Sequence, residues 1–123
     1  DLNTWSCNMS YVDAFIAAVP TANRARYREH AQITAAVFKA HGALSVVECW
    51  GDDVPEGKVT SFPIAVKRKD DETVTLGWIT WSSRSARDEG MKKAMADPRM
   101  QNIDMPFDGQ RMIFGGFDMM LDV

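Results

Sequence analysis

The sequence has little cysteine, little histidine and no long hydrophobic run. It contains 2 cysteines and 2 histidines in 123 residues, and two cysteines cannot form a metal site alone. We interpret Cys7 and Cys49 as free thiols in a reducing cytoplasm. No apolar stretch approaches the roughly 18 residues needed to span a bilayer, and residues 1–8 lack the basic start and apolar stretch of a signal peptide. We therefore predict a cytoplasmic protein with no membrane partner, no metal and no cofactor.

The chain also lacks an excess of positive charge. Its formal net charge is −3 and its pI is about 5.3, whereas nonspecific binding to nucleic acid requires clustered Lys and Arg. The basic run Lys67–Lys69 continues directly into the acidic run Asp70–Glu72, as in a solvated turn. We predict no nucleic-acid partner.

The composition is typical of one soluble domain. Hydrophobic residues make up 46% and charged residues 25%, which is enough apolar material for a core without disulfides. Met9-Ser10 resembles a natural start. We therefore interpret residues 1–8 as an extension outside the fold and residues 9–123 as a single domain.

The first half of the chain predicts a strand, a helix and a second strand. Alternate residues of the first strand, 10–19, form one wholly apolar set and one mixed set that contains Tyr11 and Asp13. The helix should run from an N-cap within 21–23 to about His41, with Tyr27 on its apolar face and Gly42 as a left-handed C-cap. The second strand covers 44–50.

The second half predicts a strand, a helix and a strand. Residues 64–66 are expected to form a hairpin with the strand 73–81, and the helix should open at Ser83 or Ser85. Ser85 and Asp88 have capping-box spacing, and Gly90 should weaken this helix by about 1 kcal/mol. The helix should end before Pro98.

With a last strand at 111–117, the element order is βαββαβ. This order predicts an α+β, ferredoxin-like sandwich with an antiparallel sheet and two helices on one face. The other face must meet solvent, a ligand or a partner.

Carboxylates beside aromatic residues are the strongest candidates for chemistry. Glu48 alternates with Trp50, so both side chains should point the same way. An acid in such an apolar site would have a raised pKa and could transfer protons. The alternative is an edge-strand charge that faces water. Asp13, on the strand face shared with Tyr11, has the same two interpretations.

The remaining candidates are histidine and tryptophan. His30 and His41 lie on one side of the helix, but their spacing of 11 residues separates them by about 16 Å, so they cannot share a metal ion. A packed or half-exposed helix residue is the simpler explanation of each. Trp78, like Trp50, could line an aromatic cavity or belong to a core or dimer interface. We predict a small-molecule site formed by Tyr11, Asp13, His30, Glu48, Trp50 and Trp78.

Several stretches of the chain carry a resemblance to known sequences. They are MSYVD at 9–13, VPTAN at 19–23, HGAL at 41–44, VECWGDDVP at 47–55, MADPRM at 95–100, MPFDG at 105–109 and MIFGGF at 112–117. They resemble a bacterial family of unknown function, the YbaA-like family (domain-of-unknown-function family 1428). The segment WGDDVP at 50–55 is quite specific, and the resemblance extends from Met9 to the C-terminus.

The resemblance implies an architecture and no reaction. That family belongs with the dimeric α/β-barrel superfamily, in which two ferredoxin-like sheets face each other, so a homodimer through the open sheet face is expected. The superfamily includes cofactor-free monooxygenases, isomerases and members without activity. Two hypotheses stay open: a protein that binds or transforms a small hydrophobic or aromatic metabolite, and a non-catalytic binding or stress-associated dimer.

Overall fold

A computed structural model describes residues 10–123, which form four strands and three helices. The predicted extension at residues 1–8, with Cys7, lies outside the described residues. The elements are β1 (Tyr11–Pro20), α1 (Arg24–Ala40), β2 (Ser45–Trp50), α2 (Phe62–Ala65), β3 (Glu72–Trp81), α3 (Arg84–Ala96) and β4 (Ile113–Asp118). Within this described range, no helix combines the length and apolar character that crossing a membrane requires.

The strands form one antiparallel sheet in the order β2-β3-β1-β4. With α1 and α3 as the two long connections, this order confirms the predicted α+β, ferredoxin-like fold. The sheet of one chain is open and does not close into a barrel. Its edges are β2 and β4, and Tyr11 pairs with Trp81 across its centre.

Both long helices pack on the face that carries the mixed residue set of β1. Val19 and Ala17 of β1 pack there against Tyr27 of α1, and Tyr11 packs with Trp81 and with Met91 of α3. The apolar set of β1 points to the opposite face. Helix packing therefore buries the strand side that contains the polar candidates.

Gly90 has a packing role that its helix propensity does not show. A Cβ atom at this position would lie 2.4 Å from a ring carbon of Trp81 and 2.5 Å from the carbonyl oxygen of His41. The missing side chain lets α3 approach the sheet and the end of α1 closely. The cost of glycine to the stability of helix α3 is thus compensated by close packing that only glycine allows.

The structure corrects two local predictions. Residues 64–66 do not pair with β3, because Phe62–Ala65 forms the short helix α2, whose N-cap hydroxyl on Ser61 accepts a hydrogen bond from the amide of Ile64 at 3.1 Å. The capping box at Ser85 is also wrong. Ser83 is the N-cap of α3 and accepts from the amide of Ala86 at 3.0 Å.

The face of the sheet opposite the long helices is largely uncovered. Val66, which follows α2, is fully buried there against Ala18 and Val74, so α2 closes one end. Beyond it, Leu76 and Phe117 are 37% and 56% exposed. An apolar surface is therefore left in the middle of this face.

An ion pair ties the start of β4 to β3. Both guanidinium NH₂ groups of Arg111 donate to the carboxylate of Glu72, at 2.7 and 2.6 Å. Arg111 also donates to the carbonyl oxygen of Lys67 and to Asp108. The Glu72 side chain is only 4% exposed, and this cation lowers the pKa of its carboxyl.

Candidate functional site

Three side chains form a hydrogen-bonded chain between α1 and the sheet. The hydroxyl of Tyr27 donates to Oε1 of Glu48 at 2.8 Å, and the hydroxyl of Thr75 donates to Tyr27 at 3.2 Å. Tyr27 and Thr75 are buried, and Glu48 is partly buried. No Lys, Arg or His among residues 10–123 forms an ion pair with Glu48, so its only side-chain partner in that range is a neutral phenol.

The position of Glu48 follows from strand register. Glu48 lies opposite Gly77 on β3, and a Cβ atom on Gly77 would come within 2.9 Å of Oε1 of Glu48 and 2.4 Å of the Phe15 ring. The glycine therefore leaves the space in which the carboxyl turns inward, toward the helix. The predicted alternative of a charge that faces water on an edge strand is not what the structure shows.

Burial sets the acidity of this pair. It raises the pKa of Glu48 to about 7, although the hydrogen bond from Tyr27 acts in the opposite direction. Burial, followed by the nearby Glu48 charge, also raises the pKa of Tyr27. Tyr27 thus stays protonated as a donor, while Glu48 can hold or release a proton near neutral pH.

Aromatic rings surround Tyr27. The rings of Trp50 and Phe107 lie 6.2 and 5.6 Å from it, centroid to centroid. His30 stacks on Tyr27 at 6.2 Å, and its Nδ1 lies 2.8 Å from the carbonyl oxygen of Asp104, which can only accept a hydrogen bond. His30 therefore packs against the Tyr27 ring and donates a hydrogen bond to the backbone of the 104–107 loop.

A cleft of about 540 Å³ opens beside Glu48, a volume within the range of small-molecule sites. Trp50 and Tyr27 form its aromatic wall, and Arg24 and Arg28 of α1 lie at its rim. Its lining is completed by Ala25, Ala31 and Cys49. A ligand in this cleft would meet an aromatic surface, one titratable carboxyl and two cations.

Two other depressions, of about 630 and 550 Å³, lie along the outer surfaces of α1 and α3. Their polar lining consists of solvated helix side chains such as Gln32 and Lys92. Neither contains a buried titratable group, so we assign no chemistry to them.

A second polar cluster lies at the far end of β1. Asp13 accepts a hydrogen bond from the indole N–H of Trp81 at 3.0 Å, and Arg87 lies 3.5 Å from Asp13. Arg87 also donates to the Tyr11 hydroxyl at 2.8 Å and stacks over its ring. These contacts hold α3 on the sheet, although the buried Nε of Arg87 has no hydrogen-bond partner among residues 10–123.

The six predicted site residues are thus divided among three places. Glu48 and Trp50 line the cleft, and His30 packs behind it. Tyr11 and Asp13 belong to the separate Arg87 cluster, and the register puts Trp78 on the opposite face of the sheet, between Ala14 and Val47.

Sequence reasoning missed the central residue of the site. The periodicity of α1 predicts Tyr27 on its apolar face and Arg28 on the opposite, polar face, and neither position indicates a site residue. No feature of the sequence singled these residues out, because the first turns of α1, α2 and α3 all lack an acidic residue. Among residues 10–123, no group of three or more His, Cys, Asp or Glu is arranged to hold a metal ion.

Comparison with known proteins identifies the family. Residues 10–109 match the family described as "Protein of unknown function (DUF1428)". The chain belongs to this family. It is also 50% identical over 116 residues to the "Uncharacterized protein YbaA" of Escherichia coli (strain K12) and to that of Shigella flexneri, covering 93% of this chain and 99% of each relative. The predicted family membership is confirmed.

Solved structures agree on the fold of this DUF1428 member. A dimeric ferredoxin-like protein from an uncultured marine organism superposes with a TM-score of 0.63 at 10% identity, covering 94% of this chain and 99% of the other. A variant of SnoaB, a cofactor-independent oxygenase from Streptomyces nogalater, gives 0.54 at 18% identity, covering 94% and 95%. At these identities the likeness shows the ferredoxin-like fold alone.

Proposed function

We propose that this protein binds a small aromatic molecule in the Glu48 cleft and that Glu48 transfers a proton to and from it. The observation that supports this most directly is the hydrogen bond between Glu48 and Tyr27 beside an open cleft. A carboxyl held there without a cationic partner is poised to change its protonation state near pH 7.

The simplest reaction of this type is enolisation of a carbonyl compound. The Glu48 carboxylate takes a proton from the carbon beside the carbonyl, and the C–H bonding pair becomes the enolate. The protonated Glu48 then returns a proton to the same or a conjugated carbon, which gives exchange or isomerisation with no other reactant. Tyr27, whose hydroxyl already donates to Glu48, orients the carboxyl.

Solvent exchange tests the proton transfer directly. The probe is 2-tetralone in D₂O buffer, and NMR follows replacement of its α-protons by deuterium. We expect the wild-type protein to accelerate exchange over buffer and Glu48→Gln to reduce the accelerated rate by at least about 100-fold, the usual contribution of a general base.

The matched control is Glu29→Gln, which removes an exposed carboxylate from the outer side of α1. It should exchange 2-tetralone at the wild-type rate. If the probe binds but wild-type and Glu48→Gln exchange equally, proton transfer is ruled out and the non-catalytic binding hypothesis is favoured.

Oxygenation is the second candidate, and the likeness to SnoaB is what favours it. In that case, the enolate carbon formed at Glu48 is oxidised by O₂: a C–O bond forms, O₂ is reduced to the peroxide level, and the proton held by Glu48 completes a hydroperoxide. The likeness to SnoaB indicates that this fold is compatible with such chemistry, and it assigns no role to any residue of this chain. Oxygen uptake in the same assay, absent from Glu48→Gln, would distinguish oxygenation from isomerisation.

We also propose that the protein forms a homodimer through the open sheet face, with two sheets closing a barrel. The support is the apolar surface around Leu76, together with the dimeric state named for the marine ferredoxin-like protein. A cytoplasmic location is part of this proposal, since Cys49 is an exposed thiol with no disulfide partner among residues 10–123.

A charge on the open face should disrupt this dimer. We expect the wild type to sediment at twice the 13.8 kDa of one chain and Leu76→Lys to sediment as a monomer, because the lysine ammonium would lose its water at the interface. The control Ile33→Lys, at a 44% exposed site on α1, should remain dimeric. A monomeric wild type would contradict the proposal.

A further inference from the structure

Two cations at the rim of the Glu48 cleft have no hydrogen-bond or ion-pair partner among residues 10–123. Arg24 and Arg28 are one helical turn apart and line the cleft. Neither forms a hydrogen bond or an ion pair through its side chain with any group in residues 10–123. Arg26, between them in sequence, is different: it donates two hydrogen bonds to Asp104, at 3.1 and 2.8 Å.

This placement is unfavourable for the helix itself. Cations near a helix N-terminus oppose the helix dipole, and like charges four residues apart repel each other. The first turn of α1 contains no acidic residue to offset them. Asp104 compensates Arg26, but no described carboxylate does the same for Arg24 and Arg28. An uncompensated departure from local rules is expected where a site has a function.

Arg24 lies close to the aromatic wall of the cleft. The Arg24 guanidinium lies 5.3 Å from the centre of the Trp50 ring. Trp50 and Glu48 are two residues apart on β2, a distance of about 7 Å along a strand. One aromatic ring with a substituent spans such a distance, so a single ligand can contact both ends.

We infer that the natural ligand of this cleft is an aromatic carboxylate whose carboxylate group is bound by Arg24 and Arg28 while its ring lies against Trp50. This inference rests on the proposed small-molecule site and adds the class of ligand. Guanidinium groups match carboxylates in geometry and form strong, charge-assisted hydrogen bonds with them. Glu48 is the sole acidic side chain in the cleft lining, and its carboxyl is already engaged by Tyr27.

The test uses two probes that differ in charge and in the donor or acceptor character of one group. 2-Naphthoate and 2-naphthamide have the same ring and nearly the same size, and ligand-observed NMR gives the Kd of each. We expect naphthoate to bind about tenfold more tightly, which is typical of a hydrogen-bonded charge pair. Added salt should weaken the binding of naphthoate and leave that of naphthamide unchanged.

Three single variants of equal net charge show whether naphthoate affinity depends on the two arginines of the cleft or only on the net charge of the protein. Arg24→Gln and Arg28→Gln should each lower naphthoate affinity about three- to tenfold and leave naphthamide affinity unchanged. Arg26→Gln, which changes the charge outside the cleft, should bind both probes like the wild type. Thermal unfolding of each variant verifies that the fold is retained, as expected at exposed positions.

The outcomes distinguish this inference from the function it rests on. Equal affinity for the two probes, or equal losses in all three variants, would overturn the carboxylate assignment and leave the aromatic site in place. Failure of both probes to bind the wild-type protein would overturn the proposed function and the ligand class together.

Discussion

Replacing Glu48 with glutamine should make the protein more stable above neutral pH, although it removes the central group of the site. The folded-state pKa of Glu48 is about 7, against an ordinary value of 4.5, a difference worth about 3 kcal/mol. Since the cleft is open to solvent on one side, we expect a gain of about 2 kcal/mol in the free energy of unfolding.

The pH dependence of this gain identifies its cause. Below about pH 4.5 the carboxyl is protonated in both the folded and the unfolded state, so wild type and variant should be equally stable. Between about pH 4.5 and 7 the unfolded chain loses the proton first, and wild-type stability falls as the pH rises. Above about pH 7 the full difference should be present.

Urea unfolding at several pH values measures this difference. Glu29→Gln, at an exposed position on α1, should follow the wild-type curve throughout. A Glu48→Gln variant that is less stable than wild type at pH 8 would show that the carboxyl has a structural role outweighing its burial penalty.

Replacing Arg111 with methionine should have the largest destabilising effect. It removes the cation from a carboxylate, Glu72, that is only 4% exposed. Breaking one side of a buried pair leaves an uncompensated charge, and we expect a loss of about 3 kcal/mol in the free energy of unfolding. Because Arg111 lowers the pKa of Glu72, the loss should shrink as the pH falls below about 4.5.

A second substitution shows whether the stability is lost because Glu72 is left as an unpaired charge or because the packing of Arg111 is lost. The double variant Arg111→Met with Glu72→Met removes both charges and should recover most of the stability. Arg84→Met, which breaks an exposed pair with Asp88 at 3.8 Å, should barely change the unfolding midpoint. A double variant no more stable than the single one would indicate that the contacts of Arg111 with Lys67 and Asp108 dominate.

Particular residues show how far sequence reasoning reaches for the site. The alternation of Glu48 with Trp50 correctly indicated that an acid and an aromatic side chain share one face, because a strand repeats every two residues. The same rule grouped Asp13 with Tyr11, which is also correct. It could not show that these two pairs lie in separate clusters, because that depends on which helix covers each end of the sheet.

The two wrong local predictions, at residues 64–66 and at the N-cap of α3, both arose from capping and turn residues. Residues 64–66 carry a strand-like composition, but the Ser61 cap and Pro63 in the first turn favour a helix. For α3, the spacing of Ser85 and Asp88 is compatible with a cap, yet the amide that requires an acceptor is that of Ala86, which Ser83 reaches. Capping depends on where the backbone turns, and hydrophobic pattern alone locates that only to within a few residues.

The ferredoxin-like element order, the family and the strand face on which Glu48 lies could all be predicted from the sequence, because they follow from periodicity and from matching stretches of residues. The tertiary structure alone shows that Tyr27 is the partner of Glu48 and that Gly77 leaves room for this carboxyl. It also shows that two arginines without an ion-pair partner among residues 10–123 border the cleft. The pKa of Glu48 depends on desolvation by groups distant in sequence, and burial of that kind exists only once the helix and the sheet have packed together.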